Sequence, residues 1–240
     1  MRPTLFSLVA LLFLSSAAFG EEPYRLRSEE IFSPLDGDAR DGLCQTQFYD
    51  LCSDRTWSWT GWSPRDVVGV ILDLPADCGK IPGASCTCTD MWWYWRHTTP
   101  NRSQYDISFR VYELDENDCI LNPPLLTMNV DPGEGWNHLD ELGEFDADRI
   151  VLAACFINAL GPYLTTDNTY ENILAGCGSG PTVPRSFNFG NLQEGLYCPP
   201  VAITDPAGPC NILMKANFDC VQTSVPDASI SWGDVKRLFK

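Results

Sequence analysis

The sequence predicts an all-β protein, an antiparallel β-sandwich with disulfide-stapled loops. Three observations support this prediction. Strand-like segments recur while helical periodicity is almost absent, clusters of Gly, Pro, Asp and Asn separate the segments, and 11 cysteines are spread over 240 residues. The hydrophobic content of 44% is enough for an ordinary core. We therefore expect burial to drive folding and disulfides to reinforce it.

The chain begins with a segment typical of a cleaved secretory signal. Residues 1–20 combine Arg2, an apolar run from Leu5 to Ala18 and small residues at the end. A membrane anchor is the alternative, but the run is shorter than the roughly 20 apolar residues that a span needs. We therefore expect a secreted protein, extracellular or periplasmic. Its expected parts are a signal peptide at 1–20, an N-terminal extension at 21–43, the sandwich domain at 44–222 and a linker with a short C-terminal tail at 223–240.

The predicted strands follow one another at short intervals. VVGVILDL (67–74) and RIVLAACFI (149–157) are rich in apolar and β-branched residues, and the alternation in YDISFRVYEL (105–114) predicts one buried and one solvated face. The other predicted strands are WSWTGW (57–62), DMWWYWRH (90–97), LLTMNV (125–130), WNHL (136–139), a weaker stretch at 186–196 and ILMKANF (212–218). About nine short strands are typical of a sandwich.

The cysteines predict disulfides, because export places the chain in an oxidising compartment. Their odd number leaves one thiol unpaired, and Cys155 is the candidate because it lies inside an apolar run. Cys44 with Cys52 and Cys210 with Cys220 are plausible local pairs, although spacing does not determine connectivity. The ten cysteines expected in disulfides are Cys44, Cys52, Cys78, Cys86, Cys88, Cys119, Cys177, Cys198, Cys210 and Cys220.

Metal binding is the alternative use of some of these residues. Cys86, Cys88 and His97 could form a zinc site, but no second cysteine or histidine pair stands at finger-like spacing. DGDARDG (36–42) resembles a calcium loop, yet an arginine stands where a ligand is needed. The acidic loop at 115–118 is a second weak match. We therefore expect no cofactor, with structural calcium as the alternative.

Charge and motif content restrict the function. With 32 acidic and 16 basic residues the net charge is −16, and such a surface repels nucleic-acid phosphates. Neither a G-x-S-x-G nor an H-E-x-x-H motif is present, so we predict no catalytic residue. A carboxylate pair could still hydrolyse glycosides. The acids considered for such a pair are Glu113, Asp115, Glu134 and Asp140.

The aromatic segment MWWYWRH provides the best prediction of a binding site. Alternation along a strand places Trp93 and Trp95 on one side and Trp92 and Tyr94 on the other. Only one side can face the core, so the second exposes its rings unless a loop or further layer covers them. Exposed rings with a polar rim suit stacking on pyranose sugars. Trp92, Tyr94 and Arg96 are therefore the predicted ligand-binding residues.

Several longer segments carry a resemblance to a known group of proteins. WSWTGWSPRDVVGVILDL, VYELDENDC (111–119), GWN (135–137) and the cysteine-rich end resemble secreted bacterial jelly-roll or galactose-binding-like β-sandwich proteins, most of them of unknown function. The resemblance extends over roughly residues 44–220. It implies a jelly-roll-like sandwich and transfers no catalytic residue.

Taken together, these features predict a secreted, non-catalytic binding module that recognises carbohydrate or cell-surface material. We expect a glycan or cell-surface polymer as partner, no nucleic acid and no membrane span. A structural or adhesion protein of the cell envelope, with the same aromatics as core, is the first alternative. A glycoside hydrolase that uses a carboxylate pair is the second.

Overall fold

The computed structural model describes residues 24–25, 43–53, 55–59, 62–96, 107–130, 132–157, 163–177 and 183–220. The predicted signal peptide, the acidic loop at 36–42, His97 and the C-terminal tail lie outside these residues. Over the described ranges the regular structure is nearly all strand, and the two helices contain five and six residues. None of these helices is long and apolar enough to cross a membrane.

The described strands are β1 (Tyr24–Arg25), β2 (Cys44–Gln47), β3 (Arg55–Trp59), β4 (Asp66–Asp73), β5 (Cys86–Arg96), β6 (Ile107–Glu113), β7 (Leu126–Val130), β8 (Gly135–Phe145), β9 (Arg149–Phe156), β10 (Tyr163–Asp167), β11 (Ser186–Asn191), β12 (Gly195–Ala202), β13 (Thr204–Asp205), β14 (Gly208–Pro209) and β15 (Met214–Cys220). The helices are α1 (Leu74–Cys78) and α2 (Thr169–Leu174).

Two antiparallel sheets and a small β13–β14 ribbon contain all of these strands. Sheet I has the order β1-β3-β10-β5-β15-β2, and β8 also pairs with β5. Sheet II has the order β12-β11-β4-β9-β6-β7. The predicted all-β, antiparallel class is confirmed, while the jelly-roll topology stays a prediction. Because β1 pairs with β3, the N-terminal extension contributes a strand to sheet I.

The main core lies between the two sheets. Alternate residues of β4, β6 and β9 in sheet II pack against the inward side chains of β5 and β15 in sheet I. Trp93 and Trp95 stack with ring centroids 5.3 Å apart, and Phe109 meets Trp93 edge-on at 6.0 Å. These large rings explain how one inter-sheet layer excludes water across the sandwich.

The outer face of sheet II is also buried, which the sequence did not predict. The alternation in the sequence puts Ser108, Arg110 and Tyr112 on the face of β6 that was expected to be solvated. Tyr112 is nevertheless fully buried with Val67, Val151 and Phe189. The loop after β6 and the β11–β12 hairpin supply further apolar side chains to this cluster. The solvated side expected for this strand is therefore wrong at Ser108 and Tyr112, because these two segments fold over it.

A long-range disulfide joins the two covering segments. β6 and β12 stand four strand positions apart in sheet II, which corresponds to roughly 19 Å at ~4.8 Å per strand. The Cα atoms of Cys119, after β6, and Cys198, in β12, are only 5.0 Å apart. The loop and the hairpin must therefore reach toward each other over β4 and β9, and the disulfide holds them there.

The disulfide pattern corrects the expected local pairs. The bonds are Cys44–Cys78, Cys52–Cys177, Cys86–Cys220 and Cys119–Cys198, with Cys88, Cys155 and Cys210 free and buried. Cys155 is free as predicted, whereas Cys88 and Cys210 were wrongly assigned to disulfides. Strand register explains part of this result, because Cys86 lies opposite Cys220, while Cys88 lies opposite Phe218 and Gly143. With Cys86 in a disulfide, the zinc alternative fails.

Thiol labelling under non-reducing conditions checks this assignment. All three free cysteines are at most 2% exposed, so the native protein should not react with a thiol reagent on the timescale of mixing. In denaturant the same reagent should modify three of the 11 cysteines, as counted by mass. A single labelled cysteine in denaturant would contradict the connectivity.

Removal of the Cys119–Cys198 bond should uncover the outer face of sheet II. Replacing both residues by Ser should lower the free energy of unfolding by about 2–4 kcal/mol, measured in urea, because the unfolded chain gains freedom. The same double replacement should also increase the fluorescence of a dye that binds exposed apolar surface. The control is the Cys52→Ser, Cys177→Ser variant, which loses another long-range disulfide without opening this cluster. If both variants bind the dye equally, the Cys119–Cys198 disulfide does not keep the outer face of sheet II covered.

Candidate functional site

The predicted binding residues lie together on the outward face of β5. Trp92, Tyr94 and Arg96 alternate with Trp93 and Trp95, which face the inter-sheet core, so the predicted alternation is confirmed. Trp92 and Tyr94 are nevertheless only 7% and 4% exposed. The expectation that these two rings form an open stacking surface is therefore wrong.

Residues of β8 and of the segment after β2 explain much of this burial. His138 lies opposite Trp92 and stacks on it, with ring centroids 4.1 Å apart and an interplanar angle of 19°. Tyr94 packs against Trp136, with centroids 5.4 Å apart, and belongs to a cluster with Tyr49. Of the two stacked rings, Trp92 and His138, the His138 imidazole is the exposed one, and the side chain of His138 is 41% exposed.

Beside Trp92, the outward face of sheet I presents a set of hydrogen-bonding side chains. Asn217 of β15 lies opposite both Gln45 of β2 and Asp90 of β5, and Asp90 lies opposite Asp140 of β8. These four residues form a row across four strands, roughly 14 Å long at ~4.8 Å per strand. With Gln47 and His138 of the next row they make up what we call the polar strip: Gln45, Gln47, Asp90, His138, Asp140 and Asn217.

Hydrogen bonds fix the side chains of the polar strip. Gln45 Nε2 donates to Asn217 Oδ1 at 3.3 Å, and Asn217 Nδ2 donates to Asp90 Oδ1 at 2.9 Å. At the other end, His138 Nε2 lies 3.1 Å from Asp140 Oδ1. Each amide or carboxyl group still has hydrogen-bonding capacity to spare. The strip therefore offers an ordered series of donors and acceptors to a ligand on this face.

The sequence did not reveal the polar strip, because its members come from distant segments. Gln45 and Asn217 are 172 residues apart and meet only through the pairing of β2 with β15. Strand β2 was not predicted at all. One usable signal was the alternation in MKANF, which places Lys215 and Asn217 on one face and Ala216 on the other.

Three of the four carboxylates considered for glycoside hydrolysis lie on two separate surfaces. Glu113 and Asp115 line an acidic surface depression at the end of β6, together with Glu144 and Asp146. Asp140 belongs to the polar strip, on the outward face of sheet I. Of the four candidates, Glu113 and Asp115 therefore share one depression, and Asp140 lies apart from them.

Two carboxylates in and near the acidic depression, Asp115 and Asp148, are already engaged. Asp115 accepts hydrogen bonds from the backbone N–H groups of Asn117 and Cys119. The fully buried Lys80 ammonium donates to Asp148 at 2.5 Å and holds the pKa of that carboxyl below its usual range. In the described part of the chain, no group of three or more His, Cys, Asp or Glu residues is placed to hold a metal ion.

One buried carboxyl group, Asp167, connects three parts of the chain. It is 1% exposed, and its two oxygens accept hydrogen bonds from the backbone N–H groups of Asp50 and Asn211 at 2.9 and 2.7 Å. Burial raises the pKa of Asp167 to about 7, against the effect of these bonds, and the negative charges of Asp50 and Asp205 act in the same direction as burial. Because the Asp167 carboxyl group is inaccessible to ligands, its role is structural.

Asp167 should make stability depend on pH. Its ordinary pKa is 3.8, so between about pH 4 and about pH 7 the native state keeps a proton that the unfolded chain has lost. Its contribution to stability should therefore fall as the pH rises through this window, by at most about 1.4 kcal/mol per pH unit. Urea unfolding of wild type and Asp167→Asn across the window measures the difference. Parallel pH profiles for the two proteins would contradict the prediction.

Comparison with known proteins identifies no relative of this chain. No protein-family model, curated protein or solved structure matches this chain significantly. The functional argument therefore rests on the geometry of the polar strip and its surroundings.

Proposed function

We propose that the protein is a secreted, non-catalytic binding module that recognises a glycan through the polar strip on sheet I. The observation that supports this most directly is the row of Gln45, Asn217, Asp90 and Asp140, which presents amide and carboxylate groups across four strands. The four disulfides suit an oxidising, extracellular environment.

The chemistry of the strip complements a polyhydroxylated ligand. A sugar hydroxyl donates one hydrogen bond and accepts others, so it pairs well with a carboxylate acceptor beside an amide donor. Asp90 and Asn217 form such a neighbouring pair, already joined at 2.9 Å. Because this contact holds both groups in place, a ligand would lose little side-chain entropy in engaging them.

His138 supplies the ring surface that the sequence assigned to Trp92. Its imidazole lies nearly parallel to the buried indole and is the exposed member of the pair. The indole of Trp92 thus lies against the His138 ring and supports it from the protein side. Tyr94 supports the neighbouring Trp136 in the same way. The predicted aromatic contribution is retained in this proposal, but a different ring makes the contact.

A binding role fits the two carboxyl groups of the row better than a catalytic one. Asp90 accepts hydrogen bonds from Asn217 and from the Thr89 hydroxyl, and Asp140 is engaged by His138. In this arrangement both groups serve as acceptors. A general acid for glycoside cleavage would instead have to donate a proton to the leaving oxygen.

Binding to polysaccharides tests the proposal. The full mature chain should be retained on at least one of cellulose, chitin, xylan or a printed glycan array. The Gln45→Ala, Asn217→Ala variant should bind about thirtyfold more weakly, since each lost hydrogen bond costs about 1 kcal/mol. Gln193→Ala, an exposed change in the β11–β12 turn, is the matched control and should bind as wild type does.

Three results would overturn the proposal. They are the absence of retention on every glycan, equal retention of the double variant and wild type, and release of reducing sugar that stops in Asp90→Asn. The last result would assign the row to a hydrolase. Circular dichroism and unfolding curves of each variant separate a loss of contact from a loss of fold.

A further inference from the structure

The row of Gln45, Asn217, Asp90 and Asp140 in the polar strip runs from one free edge of sheet I to the other. Gln45 belongs to β2, the last strand in the order of the sheet, and Asp140 belongs to β8, which pairs with β5 alone among the described strands. No described strand pairs with the outer edge of β2 or of β8. The row therefore crosses this part of sheet I completely, perpendicular to its strands.

Both ends of this row are open to solvent. The Asp140 side chain is 71% exposed and Gln45 is also exposed, whereas the two residues between them are half-buried. Helix α1 is bonded to β2 through the Cys44–Cys78 disulfide, but Cys44 packs toward the inter-sheet core, so α1 adjoins the inward side of this edge. A ligand on the outward face can therefore continue past both edges.

The length and the open ends of the row favour an extended ligand. A single sugar binds best in a concave site that encloses most of its surface. The row instead offers hydrogen-bonding groups along a line of roughly 14 Å at ~4.8 Å per strand, which matches about three pyranose rings end to end. Affinity must then come from successive rings along the line, and a polymer supplies such rings in series.

Charge restricts the polymer further. Asp90 and Asp140 are cross-strand partners, so two carboxylates lie next to each other in the row. The whole chain carries a net charge of −16. A polymer of uronic acids or sulfated sugars would place its own negative charges against these groups, at a cost in free energy. The row therefore favours a neutral polysaccharide, whose hydroxyls can donate to the carboxylates.

We infer that the polar strip binds an interior stretch of a linear, neutral polysaccharide, which lies across the strands and leaves the site at both edges of sheet I. This inference rests on the proposed function and specifies its ligand. Asn217 and Asp90 bind the central ring of the stretch, and Gln45 and Asp140 bind the rings on either side. His138 belongs to the neighbouring row, so its ring flanks the polymer and does not close its path.

Oligosaccharides of increasing length test the inference on the full mature chain. The probes are cello-, xylo- and N-acetylchito-oligosaccharides of two to six units, titrated by calorimetry. In at least one series the affinity should rise up to about three units, by about fivefold for each added hydrogen bond, and then level off. The six-unit ligand and its borohydride-reduced form, which has lost the ring at its reducing end, should bind equally.

The number of proteins bound per polymer separates interior binding from terminal binding. The polymer is the soluble one of the responding series, mixed-linkage β-glucan, xylan or glycol chitin. Each chain of it should bind many copies of the protein, as measured by sedimentation. A site for chain ends would bind at most two copies on an unbranched chain.

Two variants connect the length dependence to the row. Gln45→Ala removes one end of the row and should weaken the six-unit ligand about fivefold and the two-unit ligand less, because a short ligand can bind away from that end. Asn217→Ala removes the middle and should weaken ligands of every length. Gln193→Ala is again the matched control and should give wild-type affinities throughout.

Four results would overturn the inference and leave the proposed function standing. They are affinity that does not rise beyond two units, loss of binding on reduction of the terminal ring, at most two proteins per polymer, and retention only on branched or acidic glycans. Failure to bind any glycan would overturn the inference and the proposed function together.

Discussion

The pairing of β5 with three other strands is the constraint on which the rest of the structure depends. Its 11 residues pair with β8 along one side, and with β15 and then β10 along the other. A strand hydrogen-bonded on both sides cannot slip by one residue without turning every side chain to the opposite face. The register therefore fixes Trp93 and Trp95 inside the sandwich and Asp90 and Trp92 outside it.

The two sheets use their outer faces differently. The outer face of sheet II is covered by apolar side chains from the β11–β12 hairpin and the loop after β6. The outer face of sheet I combines a small aromatic cluster around Tyr94 with the polar strip. Apolar side chains buried on both faces make sheet II part of the scaffold. Solvent-facing polar groups make sheet I the face available to a polar ligand.

The sequence predicted what depends on local pattern and missed what depends on register. Alternation was enough to place Trp93 and Trp95 inside, and an apolar run was enough to identify Cys155 as a free thiol. Disulfide partners, by contrast, are set by strands far apart in the chain, as in Cys86 opposite Cys220. The same limit concealed the polar strip, since no local pattern links Gln45 with Asn217.

The exposure of an aromatic ring was the hardest property to predict, because it depends on the neighbouring strand. Trp92 lies on the expected face, but His138 lies directly opposite and covers it. On β8, His138 and Asp140 lie in the polar strip, while Leu139 between them packs against the inter-sheet core, so adjacent residues serve opposite sides of one sheet. The paired backbones of β5 and β8 hold both sets of side chains in place, so the register of this pair decides what the outward face of sheet I presents.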